Sequence, residues 1–227
     1  MLIVLEGLDG AGKSTQINLL QQYFETSGSK VKYLHFPRFD APVFGDLIAR
    51  FLRGDFGKIE QVHPMLVALM FAEDRRDASL QIKDWIKAGY HIILDRYLYS
   101  NIAFQCAKCS DPKVALELRD WIFDTEFKKF EIPVPDLNLF LDVPLNFVDE
   151  KLKQTRLGSE REYLNGKQDI HEESISFQSK VREIYLSECE RGEGLIRVNC
   201  SSDKGVMLSA ESIFGKIKEL LENITKG

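Results

Sequence analysis

The residues with the clearest chemical potential lie near the start of the chain, at positions 7–14. They read GLDGAGKS and match the pattern G-x-x-x-x-G-K-[ST]. Glycines let such a loop fold tightly and point its backbone N–H groups at phosphate oxygens. Lys13 can then reach the β- and γ-phosphates of a nucleoside triphosphate, and Ser14 can ligate Mg²⁺. The motif therefore predicts a site for ATP with magnesium.

An acidic residue at the end of an apolar run completes this prediction. The run Ile92-Ile93-Leu94 ends at Asp95. In proteins with such a phosphate-binding loop, an acidic residue at the carboxyl end of a buried strand holds the magnesium. We expect Asp95 to act on the metal, partly through water, and Arg96 beside it to face the same crevice.

Arginines at strand ends indicate what receives the phosphoryl group. Arg38 follows the run 31–36, and Arg96 follows the run that ends at Asp95. A phosphate acceptor is already ionised near neutral pH and needs cations to hold it in line. A sugar hydroxyl instead needs a carboxylate to take its proton. Arg38 and Arg96 together therefore favour a phosphate acceptor.

Two helical segments carry residues that suit a nucleobase. Phe71 and Arg75 are four positions apart and share a helix face, so an aromatic plane lies beside a guanidinium. Asn101, Phe104 and Gln105 repeat this arrangement at spacings of three and four. A plainer interpretation stays open for each segment, with the two phenylalanines in the core and Arg75 in a surface ion pair.

Short apolar runs alternate with amphipathic segments, and these elements must position the residues above. The runs are 2–5, 31–36, 91–94, 137–143 and 195–198. They lack clean polar alternation, as strands buried on both faces of a parallel sheet do. Apolar stripes between them predict helices, for example at positions 17–24 and 213–224. The alternation predicts one α/β domain over residues 1–227, with a doubly wound sheet and right-handed crossovers.

Residues 151–167 have a different character. They include five basic residues and two glycines, and their apolar content is low. The segment predicts the end of a helix followed by a mobile basic loop, which could act as a lid that excludes water from bound ATP. A solvated charged surface is the alternative interpretation.

The composition limits the class of protein. Hydrophobic residues make up 44% and charged residues 29%, and the formal net charge is −5, which argues against a surface that coats nucleic acid. The first residues resemble no signal peptide, and no stretch approaches the roughly 18 apolar residues of a membrane helix. We expect a cytoplasmic protein that binds neither nucleic acid nor membrane. Cys106 and Cys109 form a single C-x-x-C, which favours inert reduced thiols over a zinc site.

Several of these motifs together resemble the thymidylate kinase family, over nearly the whole chain. The resemblance rests on EGLDGAGKST at 6–15, FPR at 36–38, FAEDR at 71–75, DRYLYSNIAFQ at 95–105 and PDL at 135–137. It implies the P-loop NTPase fold with a five-stranded parallel sheet flanked by helices on both faces. It also implies a homodimer that converts ATP and dTMP to ADP and dTDP.

The resemblance implies a role for each matching residue. At ATP it places Gly7, Leu8, Asp9, Gly10, Ala11, Gly12, Lys13, Ser14 and Thr15. At the thymine it places Phe71 on the ring face, Arg75 at a carbonyl and Asn101 near N3. At the rest of dTMP it places Arg38 and Arg96 on the phosphate, Asp9 on the 3′-hydroxyl and Phe104 against the 2′ position, with Ser100, Gln105 and Tyr163 as further contacts.

The family comparison also indicates where the catalytic cations lie. Positions 8–11 hold no basic residue, although some family members carry one there. The cation that stabilises the transition state should then come from the lid, at Arg156 or Arg161, in addition to Lys13 and Arg96. The pattern Glu160-Arg161-Glu162-Tyr163 matches the family's Glu-Arg-Tyr with one inserted residue.

Three other functions make different predictions. A deoxynucleoside kinase would share the fold but phosphorylate a sugar hydroxyl. A GTPase-type switch would need an Asn-Lys-x-Asp motif, and the chain has no Asn-Lys dipeptide. A catalytically inactive scaffold would not require Lys13, Ser14, Asp95 and the lid arginines together.

Overall fold

The computed structural model describes residues 1–59, 61–153, 164, 169–171 and 174–226. Its strands are β1 (Leu2–Gly7), β2 (Val31–His35), β3 (His91–Asp95), β4 (Leu137–Asp142) and β5 (Leu195–Asn199). All pairings between them are parallel, and the strand order is β2-β3-β1-β4-β5. The five predicted strands are thus confirmed, with bounds that differ by one or two residues.

The position of each strand in the sheet explains its composition. Every residue of the central strands β1 and β4 is buried, which is why their sequences are almost continuously apolar. The edge strands β2 and β5 are only partly covered and therefore tolerate polar residues. Glu6 is the exception to the apolar composition of β1, because it is a charged residue whose side chain is fully buried in a central strand.

Helices flank the sheet and connect its strands. They are α1 (Lys13–Thr26), α2 (Phe44–Leu52), α3 (Pro64–Lys87), α4 (Leu98–Cys106), α5 (Pro112–Phe123), α6 (Leu145–Lys153), α7 (Ile175–Arg191) and α8 (Ala210–Lys226). A π-helical segment, Asp124–Lys129, continues α5. The predicted stripe on α1 is buried, whereas the stripe on α8 is buried at Ile213, Ile217 and Leu221 and ends in an exposed Ile224.

Two apolar clusters support these elements. The main cluster includes β1, β3 and β4 and the helices packed on them. A smaller cluster joins α2 to α3 through Ile48, Phe51, Leu52 and Val67, with Phe71 packed against it. Among the described helices, none is both long and apolar enough to cross a membrane.

The register of the central strands determines where a ligand would bind. Leu5 of β1 lies beside Asp95 of β3, and Gly7 lies beside Leu141 of β4. The order of strands along the chain reverses between β3 and β1. In open α/β sheets, such a reversal leaves a crevice beyond the carboxyl ends of the strands, where ligands bind. The loop after Gly7 and the residues after Asp95 both open into this crevice.

Candidate active site

The loop between β1 and α1 has the backbone shape of an anion cradle. Gly10 and Gly12 have φ angles of 78° and 81°, in the left-handed region where a side chain would be strained. Gly12 is the residue that precedes α1, and its carbonyl accepts a hydrogen bond from Gln16 at 3.3 Å. The first turn of α1 therefore directs its N–H groups and the positive end of its dipole at the loop.

Lys13 and Asp95 lie together at the base of this cradle. Lys13 Nζ is 3.8 Å from Asp95 Oδ1 and donates a hydrogen bond to the Leu8 carbonyl at 3.3 Å. Burial and nearby Arg96 lower the pKa of Lys13, against the opposing pull of neighbouring carboxylates. Burial alone would raise the pKa of Asp95, but Lys13 and His35 together lower it by more than burial raises it. The pKa of Asp95 is therefore below its usual value, and this carboxylate stays ionised. The pair suits a site in which the lysine meets phosphate oxygens and the carboxylate meets a metal ion.

The residues around Asp95 fit a magnesium ion. Asp95 is 5% exposed, and its Oδ1 accepts no hydrogen bond within the described part of the chain. Ser14, in the first turn of α1, is an exposed residue. Carboxylate, hydroxyl and phosphate oxygens with several waters are the ligands that Mg²⁺ prefers. An ionised acceptor atom without a protein donor is what a hard cation requires.

Arg96 ties the end of β3 to the phosphate loop. Its Nη2 donates to Asp9 Oδ1 at 2.7 Å, its Nη1 donates to Ser100 Oγ at 3.1 Å, and its guanidinium lies 5.0 Å from the Phe104 ring centroid. Its φ of 68° is unusual for a residue with a side chain, and strain of this kind of about 1–3 kcal/mol clusters at functional sites. Burial would lower the pKa of Arg96, but Asp9 and other anions raise it, so the cation is permanent.

A buried carboxylate behind Arg96 orders the residues that hold it. Glu6 Oε1 accepts hydrogen bonds from the backbone N–H groups of Tyr97 at 2.9 Å and Ser100 at 3.2 Å. Its Oε2 accepts from Tyr185 Oη at 3.0 Å and from Ser100 Oγ. Because Ser100 gives its proton to Glu6, its oxygen is left to accept from Arg96. Burial raises the pKa of Glu6, although these donors and Arg96 oppose the rise.

A second charged group lies between α3, α4 and the π-helical segment. Arg75 is 2% exposed, and its Nε and Nη2 donate to the two carboxylate oxygens of Glu126 at 2.5 and 2.7 Å. Glu126 Oε1 also accepts from Asn101 Nδ2 at 2.9 Å, and the Ala68 carbonyl accepts from the same nitrogen at 3.0 Å. Arg75 is therefore in a buried ion pair, which the surface alternative did not predict.

Arg38 is bound to α3. Its Nε donates to Asp74 Oδ1 at 2.8 Å, and its Nη2 donates to Asp77 Oδ2 at 2.7 Å. Its backbone N–H donates to Asp74 Oδ2 at 2.9 Å. The two predicted phosphate ligands therefore have different carboxylate partners, Asp74 and Asp77 for Arg38 and Asp9 for Arg96. Nη1 of Arg38 has no hydrogen bond within the described residues and can serve a ligand.

The other predicted substrate residues lie on the same two helices. Phe104 is nearly buried and packs against Phe177, with 6.2 Å between ring centroids, while Phe71 is partly buried against the smaller cluster. The Gln105 side chain is buried, and its Oε1 accepts from Lys108 Nζ at 2.7 Å. Burial lowers the pKa of Lys108 to about 7.

Three of the predicted site residues belong to the predicted lid. Arg156, Arg161 and Tyr163 lie outside the described residues. Their roles stay predictions from the sequence.

A phosphate cradle at the reversal point of a parallel sheet, with a lysine and an acidic strand end at its base and an arginine bound to it, defines a P-loop phosphotransferase. The profile of the family described as thymidylate kinase matches residues 5–210. The chain belongs to the thymidylate kinase family, whose members are ATP-dependent nucleoside monophosphate kinases.

Individual relatives agree with this assignment. A probable thymidylate kinase of Thermococcus kodakarensis is 33% identical over 229 residues, which cover 99% of this chain and 98% of the relative. The thymidylate kinase of Mycobacterium tuberculosis is 31% identical over 86% of this chain and 88% of the relative. The solved structure of thymidylate kinase from Candida albicans superposes with a TM-score of 0.71 at 27% identity, covering 98% of this chain and 91% of the other.

Sequence reasoning missed three of the carboxylates that hold the functional cations in place, which are Glu126, Asp74 and Glu6. Glu126 and Asp74 carry no local signal, because each contacts its arginine across 51 or 36 residues of chain. Glu6 offered a usable signal, since a charged residue inside an apolar central strand must be compensated. The side chains that donate hydrogen bonds to Glu6, Ser100 and Tyr185, could not be predicted, because they reach it only through the packing of α4 and α7.

We expect Glu6→Gln to lower kcat by at least ~10-fold, below the 10²–10³ usual for a direct transition-state contact because Glu6 acts through Ser100. The amide would place a donor against the donors that Glu6 accepts from, and Ser100 would no longer orient Arg96. Steady-state kinetics should show the loss mainly in kcat, with the KM for ATP little changed.

Tyr185→Phe is the matched control for Glu6→Gln. It removes one donor to Glu6 and the 2.8 Å contact of that hydroxyl with Ser100 Oγ, but it leaves the bonds from Ser100 to Glu6 and from Arg96 to Ser100 in place. Its kcat should stay much closer to that of the wild type. Equal kcat values for Glu6→Gln and the wild type would show that Glu6 does not position Arg96.

Lys108 should make stability depend on pH. Because folding lowers its pKa from 10.5 to about 7, the unfolded chain binds more protons between pH 7 and 10, and the free energy of unfolding rises with pH there. This contribution is at most ~1.4 kcal/mol per pH unit and is absent in Lys108→Met. Urea unfolding at pH 6 and pH 9 should show the variant gaining less stability than the wild type.

Lys87→Met is the matched control for Lys108→Met, because Lys87 Nζ lies on an exposed side chain. Its stability should follow that of the wild type across the same pH range. If the free energy of unfolding of Lys108→Met also changes with pH as that of the wild type does, the lysine is charged in the folded protein throughout this pH range.

Proposed function

We propose that the chain transfers the γ-phosphoryl group of MgATP to the phosphate of dTMP, giving dTDP and ADP. The observation that carries the proposal is the bond between Arg96 and Asp9, 2.7 Å long, because Asp9 is itself part of the phosphate loop. A guanidinium is thereby fixed at the rim of the site that would hold ATP. An anion bound to Arg96 would lie next to the γ-phosphate.

The arrangement suits an acceptor that is already ionised. A phosphate monoester carries most of its second negative charge at neutral pH and attacks without losing a proton. The site must then hold two repelling anions in line, which Lys13 on the donor side and Arg96 on the acceptor side would do. A hydroxyl acceptor would need a carboxylate base, whereas Asp9 is occupied as the counter-ion of Arg96.

Magnesium is the cofactor that we propose for this site. Asp95, partly through water, and the Ser14 hydroxyl would hold it, which is supported by Asp95 Oδ1, an atom that accepts no hydrogen bond within the described residues. When bound, the ion would neutralise charge on the donor phosphates. Lys13 lies close to Asp95, so its positive charge would add to that of the ion at the donor phosphates.

The thymine would bind between α3 and α4. In this proposal Phe71 covers the ring face, Arg75 donates to a carbonyl and Asn101 contacts the N3 edge. Within the described residues Arg75 Nη1 has no hydrogen bond, since Glu126 takes only Nε and Nη2. Phe104, held against the guanidinium of Arg96, would contact the sugar and disfavour a 2′-hydroxyl.

The remaining contacts of the proposal come from both sides of the crevice. Arg38 would reach the acceptor phosphate through the nitrogen that Asp74 and Asp77 leave unused. Ser100 and Gln105 act at the same pocket from α4, and Arg156, Arg161 and Tyr163 stay predictions from the sequence. The cytoplasmic location is likewise a prediction.

An acceptor panel tests the reaction. The purified chain should release ADP rapidly with MgATP and dTMP, and only at background rate with MgATP and thymidine, because Arg96 needs an anionic acceptor. A coupled ADP assay measures both rates. The opposite preference would establish the runner-up function, a deoxynucleoside kinase, and overturn this proposal.

We also propose that the enzyme is a homodimer. Three leucines on one face of α3, Leu66, Leu69 and Leu80, are exposed, and Leu80 is 72% exposed. Large aliphatic side chains repeated along a single helix face mark a surface that another protein covers. A second copy of the chain is the occupant that the family resemblance implies.

The substitution Leu80→Glu should shift the chain from dimer to monomer in sedimentation velocity, because it places a charge in the proposed contact. It should leave the monomer folded, since substitutions at exposed positions usually change stability by less than about 0.5 kcal/mol. Val206→Glu is the matched control, because Val206 is 63% exposed and lies in the segment between β5 and α8. A wild-type chain that sediments as a monomer would refute the dimer.

A further inference from the structure

We infer that Glu126 is a specificity-determining positioning residue, which selects bases that present an N–H donor beside a carbonyl and rejects cytosine. It would do so by fixing which face of the Asn101 amide meets the base. The inference rests on the proposed function, because it concerns how that acceptor pocket reads a base.

Glu126 lies fully buried at the junction of three elements. It is 0% exposed and belongs to the π-helical segment that continues α5. One of its oxygens accepts from Arg75, and the other accepts from both Arg75 and Asn101. The carboxylate therefore connects a residue of α3 with a residue of α4, the two helices that would enclose the base.

The contacts of Asn101 leave a single orientation for its amide. Nδ2 has two hydrogens, and both are used, by Glu126 Oε1 at 2.9 Å and by the Ala68 carbonyl at 3.0 Å. With the amide turned over, Oδ1 would face two acceptors, which cannot supply it with a proton. The negative charge of Glu126 makes this orientation strongly unfavourable.

The same contacts leave the amide oxygen without a partner. Asn101 is 3% exposed, and its Oδ1 accepts no hydrogen bond within the described residues. A buried acceptor left unpaired is costly, so a ligand donor there is favoured. Asn101 thus offers an acceptor, and the Nη1 group of Arg75 offers a donor.

Thymine and uracil match this pair, and cytosine does not. The thymine edge has an N3–H donor next to the O4 acceptor. Cytosine has an unprotonated N3 acceptor next to an N4 amino donor, so it would meet an acceptor with an acceptor and a donor with a donor. A site built to hydrogen-bond a substrate rejects a mismatched analogue far more strongly than an apolar pocket rejects a missing methyl group.

The wild-type enzyme provides the first test. We expect kcat/KM for dUMP to fall below that for dTMP by about 10–200-fold, the effect of one methyl group, and that for dCMP to fall by at least ~10³-fold. If dCMP is used as well as dUMP, the Asn101 oxygen does not read the base and the inference fails. If dTMP itself is not used, the proposed function fails instead.

Two substitutions test Glu126 itself. Glu126→Gln removes the negative charge and can turn a donor toward Asn101, so a turned-over amide would face one acceptor, the Ala68 carbonyl, in place of two. The orientation that presents Nδ2 to the base then becomes less unfavourable. We expect the ratio of kcat/KM for dTMP to that for dCMP to fall by at least ~10-fold, the change that one misplaced hydrogen bond produces. Glu126→Asp keeps the charge opposite Arg75, which protects folding, and its shorter side chain should lower the same ratio.

The ratio of two substrates measured on one preparation does not depend on how much of the protein is folded. The control is Glu188→Gln, which breaks another buried carboxylate–guanidinium pair, between Glu188 and Arg119 on α7 and α5. It should lower stability without changing the ratio. An unchanged ratio in active Glu126→Gln or Glu126→Asp would show that Glu126 only stabilises the fold.

Discussion

Cations gathered at one end of a sheet repel one another, and the organisation of this protein depends on how that repulsion is offset. Within the described part of the chain, each of the four predicted functional cations lies beside a carboxylate of its own. The pairs are Lys13 with Asp95 at 3.8 Å, Arg96 with Asp9 at 2.7 Å, Arg38 with Asp74 at 2.8 Å and Arg75 with Glu126 at 2.5 Å. Without these partners, burying several like charges would cost more than packing the same residues could recover.

This pairing also keeps the site ready for anions. Arg96, for example, uses Nη1 for Ser100 and Nη2 for Asp9, so its side chain is fixed before a substrate arrives. A charge that is already oriented does not have to reorganise during the reaction, and this preorganisation is a large part of electrostatic catalysis. The ordering of Arg96 is completed by Glu6, which takes the Ser100 proton and thereby leaves the Ser100 oxygen as an acceptor.

The parts of the structure that could be predicted are those that local sequence specifies. Apolar runs identified all five strands, because buried parallel strands need continuous apolar residues. The phosphate loop was predictable because its glycines, Lys13 and Ser14 are adjacent along the chain. The carboxylate partners of Arg75 and Arg38 were not, since Glu126 and Asp74 meet these arginines only after α3 has packed against other elements. Arg75 illustrates the difference, because its position on one helix face with Phe71 could be predicted from the sequence but its buried ion pair with Glu126 could not.

The two halves of the site therefore depend on different parts of the fold. The donor half is held by the register of β1 and β3, where a shift of one residue would separate Lys13 from Asp95 and Asp9 from Arg96. The acceptor half is held by side chains from α3, α4 and the π-helical segment, which do not contribute to the sheet. A substitution at Glu126 can therefore change the hydrogen-bonding pattern offered to the base while the strand register that supports phosphoryl transfer stays intact. Within one fold, the choice of base can vary independently of the reaction.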